Sequence, residues 1–326
     1  MGNRFKQSEN KLKKDKTLPK STTKRITRRD QSQMVIDFEK SIADHIKQRK
    51  VNKKVSMAIG WVGGKWNIAD KLISMMPKHE VYCEVFFGGG SLFFRKPKVY
   101  INFVNDLNSN LTNMYTVMRD NPDDFWKYAS YFMYARDIFD YCLEKYKSED
   151  WKNLEPTRKA VIFYYMIRAS FNKNMNNFSK DQKYSIWDEY QNVIKIGEKL
   201  QSVCIENRDY RQFVKDRLNE HKDKKTMFYL DPPYVVAEKT SYYEFLFSDM
   251  EHRDLCRLCD DIDRSGNYFM LSYENIGLIQ DLYRQYHQIE LEWTYTIGVK
   301  KDGTRKIGKE IVVTNFKPQG EQLKIL

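Results

Sequence analysis

Residues 81–94 read VYCEVFFGGGSLFF. An apolar run without polar alternation, Val81 to Phe87, meets three glycines and then Ser91 with a second apolar run. The first part reads as a strand covered on both faces, and Ser91 as the start of a helix. Gly88-Gly89-Gly90 is at least a tight turn. It also lets a backbone approach a ligand closely at a helix start, which favours negative groups. The spacing is not the GxGxxG of dinucleotide sites, and the lysine of a P-loop is missing. A strand that turns through glycine directly into a helix is the opening unit of an α/β fold.

Outward from this stretch the same alternation continues. Runs at 100–105, 203–207, 226–231, 268–273, 289–297 and 310–316 read as further strands. Helical patterns at about 65–76, 108–118, 210–219, 250–264 and 276–286 fill the gaps. The order predicts a doubly wound, Rossmann-like sheet. Its last two strands, with no crossover helix between them, form an antiparallel hairpin at a sheet edge. From 119 to 200 the alternation stops in favour of Tyr, Phe, Trp, Asn and Lys. That segment is expected to be a mainly helical insert, so the sheet domain comprises 55–118 and 201–326. Val35, Phe38, Ile42 and Ile46 mark an amphipathic helix within 34–54. Residues 1–33 are expected to be a disordered basic tail.

The chain has 326 residues, 41% of them hydrophobic, with 22 Tyr, 19 Phe and 6 Trp, enough for a packed core. Net charge is +12, but residues 1–54 hold 17 Lys/Arg against 6 Asp/Glu, so the rest of the chain carries only +1. A basic tail of this kind suits a polyanion partner or a targeting signal, or is a solvated arm. Five scattered cysteines favour a reducing, intracellular setting, cytoplasmic, or nuclear if "KRITRR" (24–29) is a signal. Cys256 and Cys259 share one helical face, which favours core packing over zinc. No apolar run approaches the ~20 residues that span a membrane.

Chemistry concentrates in "FYLDPPYVV", residues 228–236. A strand ends in a carboxylate, Asp231, and Pro232-Pro233 fix the backbone that follows. A carboxylate and a proline carbonyl can accept both hydrogens of an exocyclic amine, and Tyr234 offers a flat face for a heterocycle. Upstream, Trp61 is an aromatic platform and Lys65 a cation in "AIGWVGGKW" (58–66). Asp106 stands after the second strand, where doubly wound folds bind a ribose.

Together "AIGWVGGK", "YCEVFFGGGSLFF", "FVNDLN", "ENRDYRQFV" and "MFYLDPPY" resemble the Dam-type, D12-class adenine-N6 DNA methyltransferases, from about residue 57 to the C-terminus. The resemblance implies a site-specific enzyme of the restriction–modification kind. It would carry methyl groups from S-adenosylmethionine to adenine N6 in double-stranded DNA, flipping the base out without metal. It places Trp61 and Lys65 in the N-terminal cofactor motif. Glu84, Phe86, Gly88 and Gly90 would lie on the methionine side, Asp106 on the ribose hydroxyls, and Asp209 with Tyr210 beside the cofactor's adenine. Asp231, Pro232, Pro233 and Tyr234 form the catalytic motif, with Asp231 also reaching the cofactor. "FNKNMNNFS" (171–179) resembles the family's DNA-contacting loop, so Arg168, Asn172, Lys173, Asn174, Asn176 and, beyond the catalytic motif, Tyr243 are the expected DNA contacts. The insert would then recognise the target. Two positions depart from the family: Tyr273 stands where it often has Asn, and Lys173 where it often has Gly. Rival readings are a related methyltransferase acting on RNA or a protein glutamine, and a silent DNA-binding relative.

Overall fold

The computed structural model describes residues 59–61, 63–180, 186–234, 247–299 and 305–318. The basic tail, the helix expected at 34–54 and Tyr243 lie outside the described residues.

Seven strands make one sheet: β1 Val81–Glu84, β2 Ile101–Asn105, β3 Cys204–Glu206, β4 Thr226–Leu230, β5 Tyr268–Glu274, β6 His287–Val299 and β7 Arg305–Thr314. Their order is β3-β2-β1-β4-β5-β7-β6. The first five are parallel to one another. β7 lies antiparallel between β5 and β6, so the expected hairpin is present with its earlier strand outermost. The chain steps outward from β1 to β3 and then returns to β4 on the other side of β1. That reversal opens a crevice at the carboxyl ends of β1, β2 and β4.

The continuous apolar runs are explained by two cores. Tyr82, Val104, Met227, Tyr229 and Met270 enter one core, while Val81, Cys83, Phe103, Phe228, Leu230, Phe269 and Leu271 enter the other. A period of two in side-chain direction assigns alternate residues of a wholly apolar strand to opposite faces.

The first core is roofed by α1 (Ala69–Met75), α2 (Ser91–Arg95) and α3 (Ser109–Asp120). The second is roofed by α4 (Tyr210–Glu220), α5 (Asp249–Arg264) and α6 (Gly277–Leu282). Helix starts follow local chemistry. The Asn108 side chain accepts from the N–H groups of Asn110 and Leu111, and Ser248 with Glu251 forms a capping box on α5. Cys256 and Cys259 are buried on the α5 face that meets the sheet, and burial pushes the Cys256 thiol up to about 11.

Between α3 and β3 the described chain forms α7 (Pro122–Ala129), α8 (Arg136–Lys147), α9 (Pro156–Ala169) and α10 (Ile186–Leu200), with short 3-10 turns and no strand of the sheet. Pro156 and Glu155 start α9, the carboxylate accepting from the N–H groups of Thr157 and Arg158. One side of α9 (Ala160, Val161, Phe163, Tyr164, Ile167) joins the first sheet core. Its other side (Ile162, Tyr165, Met166, Ala169) packs with Phe139 and Cys142 in a small core of their own. The insert is therefore continuous with the sheet domain through α9. Among the described residues no helix is long and apolar enough to cross a membrane.

Candidate active site

The crevice holds a cavity, and the expected residues converge on it from five separate stretches of chain. Trp61, Lys65, Glu84, Phe86, Gly88, Gly90, Asp106, Asp209, Tyr210, Asp231, Pro232, Pro233 and Tyr234 all line it. Glu84 arrives at the tip of β1, Asp106 just past β2, Asp209 at the start of α4 and Asp231 just past β4.

Gly88 and Gly90 have φ of 48° and 62°, in the left-handed region, which favours glycine. The sequence suggests that they make room for a ligand, but the protein's own rings fill that space. A Cβ on Gly88 would sit 2.8 Å from Trp61, and one on Gly90 2.6 Å from Phe87 and Phe94. Trp61 thus clamps the glycine turn, and the turn offers the cavity its backbone. Asp106 orders that backbone further: one oxygen accepts from the Gly88 N–H at 2.8 Å and the other from the Asn108 N–H at 2.9 Å.

Glu84 is almost wholly buried, and its Oε2 accepts from the Tyr82 hydroxyl at 2.9 Å and the Phe93 N–H at 3.0 Å. Burial outweighs these bonds and pushes its carboxyl up to about 8. On the opposite side Phe86, Tyr210 and Phe247 form an aromatic wall, with ring centroids 5.4–6.0 Å apart. Asp209 caps α4 and pairs with Arg211, which also reaches Asp254.

Lys65 does more than its motif position suggests. It is 2% exposed, and its Nζ meets both oxygens of Asp231 at 2.8 and 3.0 Å and the Gly63 carbonyl at 2.7 Å. It also lies 3.4 Å from Glu310 on β7. Burial holds the Asp231 carboxyl above its ordinary range, and Lys65 opposes that shift. The Tyr234 hydroxyl donates to Glu310, and its ring stacks on Tyr273 with centroids 5.9 Å apart. Lys65 Nζ stands 5.0 Å from the centre of the same ring. Tyr273, the departure from the family pattern, backs Tyr234 and hydrogen-bonds His252.

The expected DNA loop borders this cavity at one point. Met175, absent from the sequence-based set, lines it. Lys173 and Met175 have φ of 60° and 56°, rare for side chains larger than glycine. Lys173 thus takes the conformation that the family's glycine adopts easily. Its stem lies against Gly60, and its Nζ donates to the Arg168 carbonyl at the end of α9. The Asn174 side chain accepts from the N–H groups of Asn176 and Asn177, so it shapes the loop, while Asn176 is exposed. Asn172 sits in the 3-10 turn Phe171–Lys173. Glu310 was also missed. It lies 76 residues beyond Tyr234, and only the β5–β7 pairing brings it to the site.

A doubly wound sheet ending in an antiparallel hairpin, with acids at the tips of β1, β2 and β4 around one cavity, defines a Rossmann-like methyltransferase. The sequence model of the D12 class N6 adenine-specific DNA methyltransferases matches residues 61–297, and the chain belongs to that family. It is an adenine-specific DNA methyltransferase. Over 275 residues it is 29% identical to the Type II methyltransferase M1.LlaDCHI of Lactococcus lactis subsp. cremoris, covering 78% of this chain and 94% of that protein. It is 24% identical to the Type II methyltransferase M.MjaIII of Methanocaldococcus jannaschii, covering 81% and 100%. It is also 24% identical to the DNA adenine methylase of Escherichia coli K12, covering 82% and 97%.

Proposed function

We propose that the methyl donor is S-adenosylmethionine, bound between the glycine turn and the aromatic wall. The adenine is turned out of double-stranded DNA onto Asp231, Pro232 and Tyr234. The donor set supports this. Phe86, Tyr210 and Phe247 suit a purine face, Asp106 suits vicinal hydroxyls beside a backbone it already orders, and Glu84 suits a polar amino-acid end. When bound, the sulfonium supplies an electrophilic methyl group.

The protein's part is orientation and charge placement. Adenine N6 is a weak nucleophile because its lone pair is delocalised into the ring. Asp231 and the Pro232 carbonyl accept its two N–H groups, draw it towards tetrahedral geometry and stabilise the positive charge that develops. Lys65 holds the Asp231 carboxylate in place before the base arrives. Tyr234 is held likewise by Glu310 and Tyr273, so its ring is already fixed to receive a base. Extruding that base from duplex DNA takes a few kcal/mol. The insert 119–200, through the loop from Phe171 with Arg168, Asn172, Lys173, Asn174 and Asn176, would read the surrounding sequence, and Tyr243 would hold the strand. An enzyme of this kind works where DNA is kept, inside the cell.

The observation that carries the reading is the convergence of Asp231 with Asp106 and Tyr210 on one cavity. Asp231→Ala should leave S-adenosylmethionine affinity nearly unchanged and lower methyl transfer by about 100-fold or more. Asp106→Ala should weaken the cofactor by about 1–3 kcal/mol. Equal loss of binding and turnover in the folded Asp231 variant, or an unchanged dissociation constant in the Asp106 variant, would reverse these roles. Transfer to RNA or protein in place of DNA would overturn the substrate.

A further inference from the structure

Glu310 is 2% exposed and is not among the residues that line the cavity. One oxygen accepts from Tyr234 and faces Lys65 at 3.4 Å, while Oε2 has no hydrogen-bond partner among the described residues. A bare carboxylate oxygen in a buried place is unfavourable unless positive charge is near or the group takes a proton. Among the described residues the groups that face it come from several neighbouring elements. They are Lys65 from the loop before α1, Asp231 and Tyr234 after β4, Tyr229 on β4, and Tyr273 and Glu274 on β5, with apolar Leu291 opposite on β6. Among the described residues the central cluster holds one ammonium, Lys65, against two carboxylates, Asp231 and Glu310. With both carboxylates ionised the cluster is one charge short of neutral. A cation in the cavity would balance it.

We propose that Glu310 is a positioning residue whose protonation follows the charge of the cavity's occupant, ionised beside a cationic ligand and protonated beside a neutral one. This rests on S-adenosylmethionine as donor, whose sulfonium is positive before transfer and a neutral thioether after it. In the reaction N6 forms a bond to the methyl carbon, and the sulfur–methyl bond breaks with its electron pair left on sulfur. N6 then gives up one proton to Asp231. Lys65 passes a proton to Glu310 and takes the one on Asp231, along contacts of 3.4 and 2.8 Å. No electrons are gained or lost from the pair of substrates. Sulfonium, Lys65, Asp231 and Glu310 sum to zero before transfer, and thioether, Lys65, Asp231 and protonated Glu310 sum to zero after it. The charge summed over these four groups is therefore the same before and after transfer. In the ligand-free protein, burial pushes Glu310 up to about 7, so a nearby cation can change its state at physiological pH.

The test is calorimetric titration of the full chain at pH 7 with S-adenosylmethionine, and separately with S-adenosylhomocysteine, in two buffers of different ionisation enthalpy. The sulfonium ligand should release about one proton more on binding than the thioether ligand, because Glu310, about half protonated without ligand, ionises beside the first and takes up a proton beside the second. Glu310→Gln should bind both and erase that difference, whereas Glu84→Gln, outside the cluster, should keep it. In single turnover with S-adenosylmethionine bound, the wild-type rate should fall as pH drops below 7 and Glu310 takes up a proton, and E310Q should lose that limb. Equal release with both ligands, a difference retained in E310Q, or a difference lost only in the Glu84 variant would each overturn the proposal. Failure of the wild-type protein to bind S-adenosylmethionine would instead overturn the assignment of the donor.

Discussion

Glu84 carries a stability signature of its own. Its carboxyl, buried at the tip of β1, is pushed up to about 8 from an ordinary 4.5. The folded state therefore binds a proton there that the unfolded state has lost across the interval between those values. Stability from this group is full below about pH 4.5 and is lost as pH rises through about 8. Ligand-free wild type should lose stability relative to Glu84→Gln between pH 5 and 8, on the order of 1 kcal/mol per pH unit at most. Denaturant melts of both proteins at several pH values measure the difference, and parallel curves would remove Glu84 as its source. Lys65 sets a second expectation. It is the ammonium shared by Asp231 and Glu310, and breaking a buried pair typically costs about 3–5 kcal/mol. In Lys65→Met the two carboxylates can escape that cost by taking protons. The variant should therefore be closer to wild type in stability at pH 5 than at pH 8, with methyl transfer lost at both.

At the scale of elements, the loop after α9 is held in a conformation its residues do not favour. Lys173 and Met175 are left-handed, which costs an L-residue roughly 1–2 kcal/mol, and Asn174 and Ser170 bond the backbone into that shape. Lys173→Gly should relieve the strain but lose the packing on Gly60, leaving the melting temperature near wild type. Lys173→Val should lower stability by more than about 1 kcal/mol, because a β-branched residue resists φ near 60°. If the lysine also grips DNA, Lys173→Gly weakens DNA binding at unchanged stability. Thermal unfolding and a binding titration on the same samples separate the two effects.

At the scale of the molecule, charge is divided unevenly. Residues 55–326 carry a balance of only +1, whereas residues 1–54 carry 17 Lys/Arg against 6 Asp/Glu. Long-range attraction for DNA should therefore reside in the tail if the tail meets DNA. Each phosphate it neutralises would contribute about 0.9 to the slope of log K against log salt. A chain lacking residues 1–33 should fold, bind cofactor and methylate, but with weaker non-specific affinity and a flatter slope. An unchanged slope would assign the tail to targeting or to another partner.

The sequence by itself determined the sheet, its helical roofs and the expected wall of the cavity. A wholly apolar strand has one stable place, between two layers, and an acid after such a strand falls at the crevice by geometry. Val81–Glu84, Asn105-Asp106 and Leu230-Asp231 carry that information within a few residues each. Strand and helix ends were less legible. β1 ends at Glu84 although the apolar run continues to Phe87; Val85 and Phe87 still bond the backbones of Tyr229 and Asn105, and Phe86 and Phe87 go to opposite cores. Only tertiary structure decided that Lys65 meets Asp231, that the glycines are packed by Trp61 and Phe94, and that Met175 and Glu310 reach the site. Those contacts join residues far apart in the chain. Local propensity cannot encode them, since the antiparallel placement of β7 beside β5 alone brings Glu310 opposite Lys65.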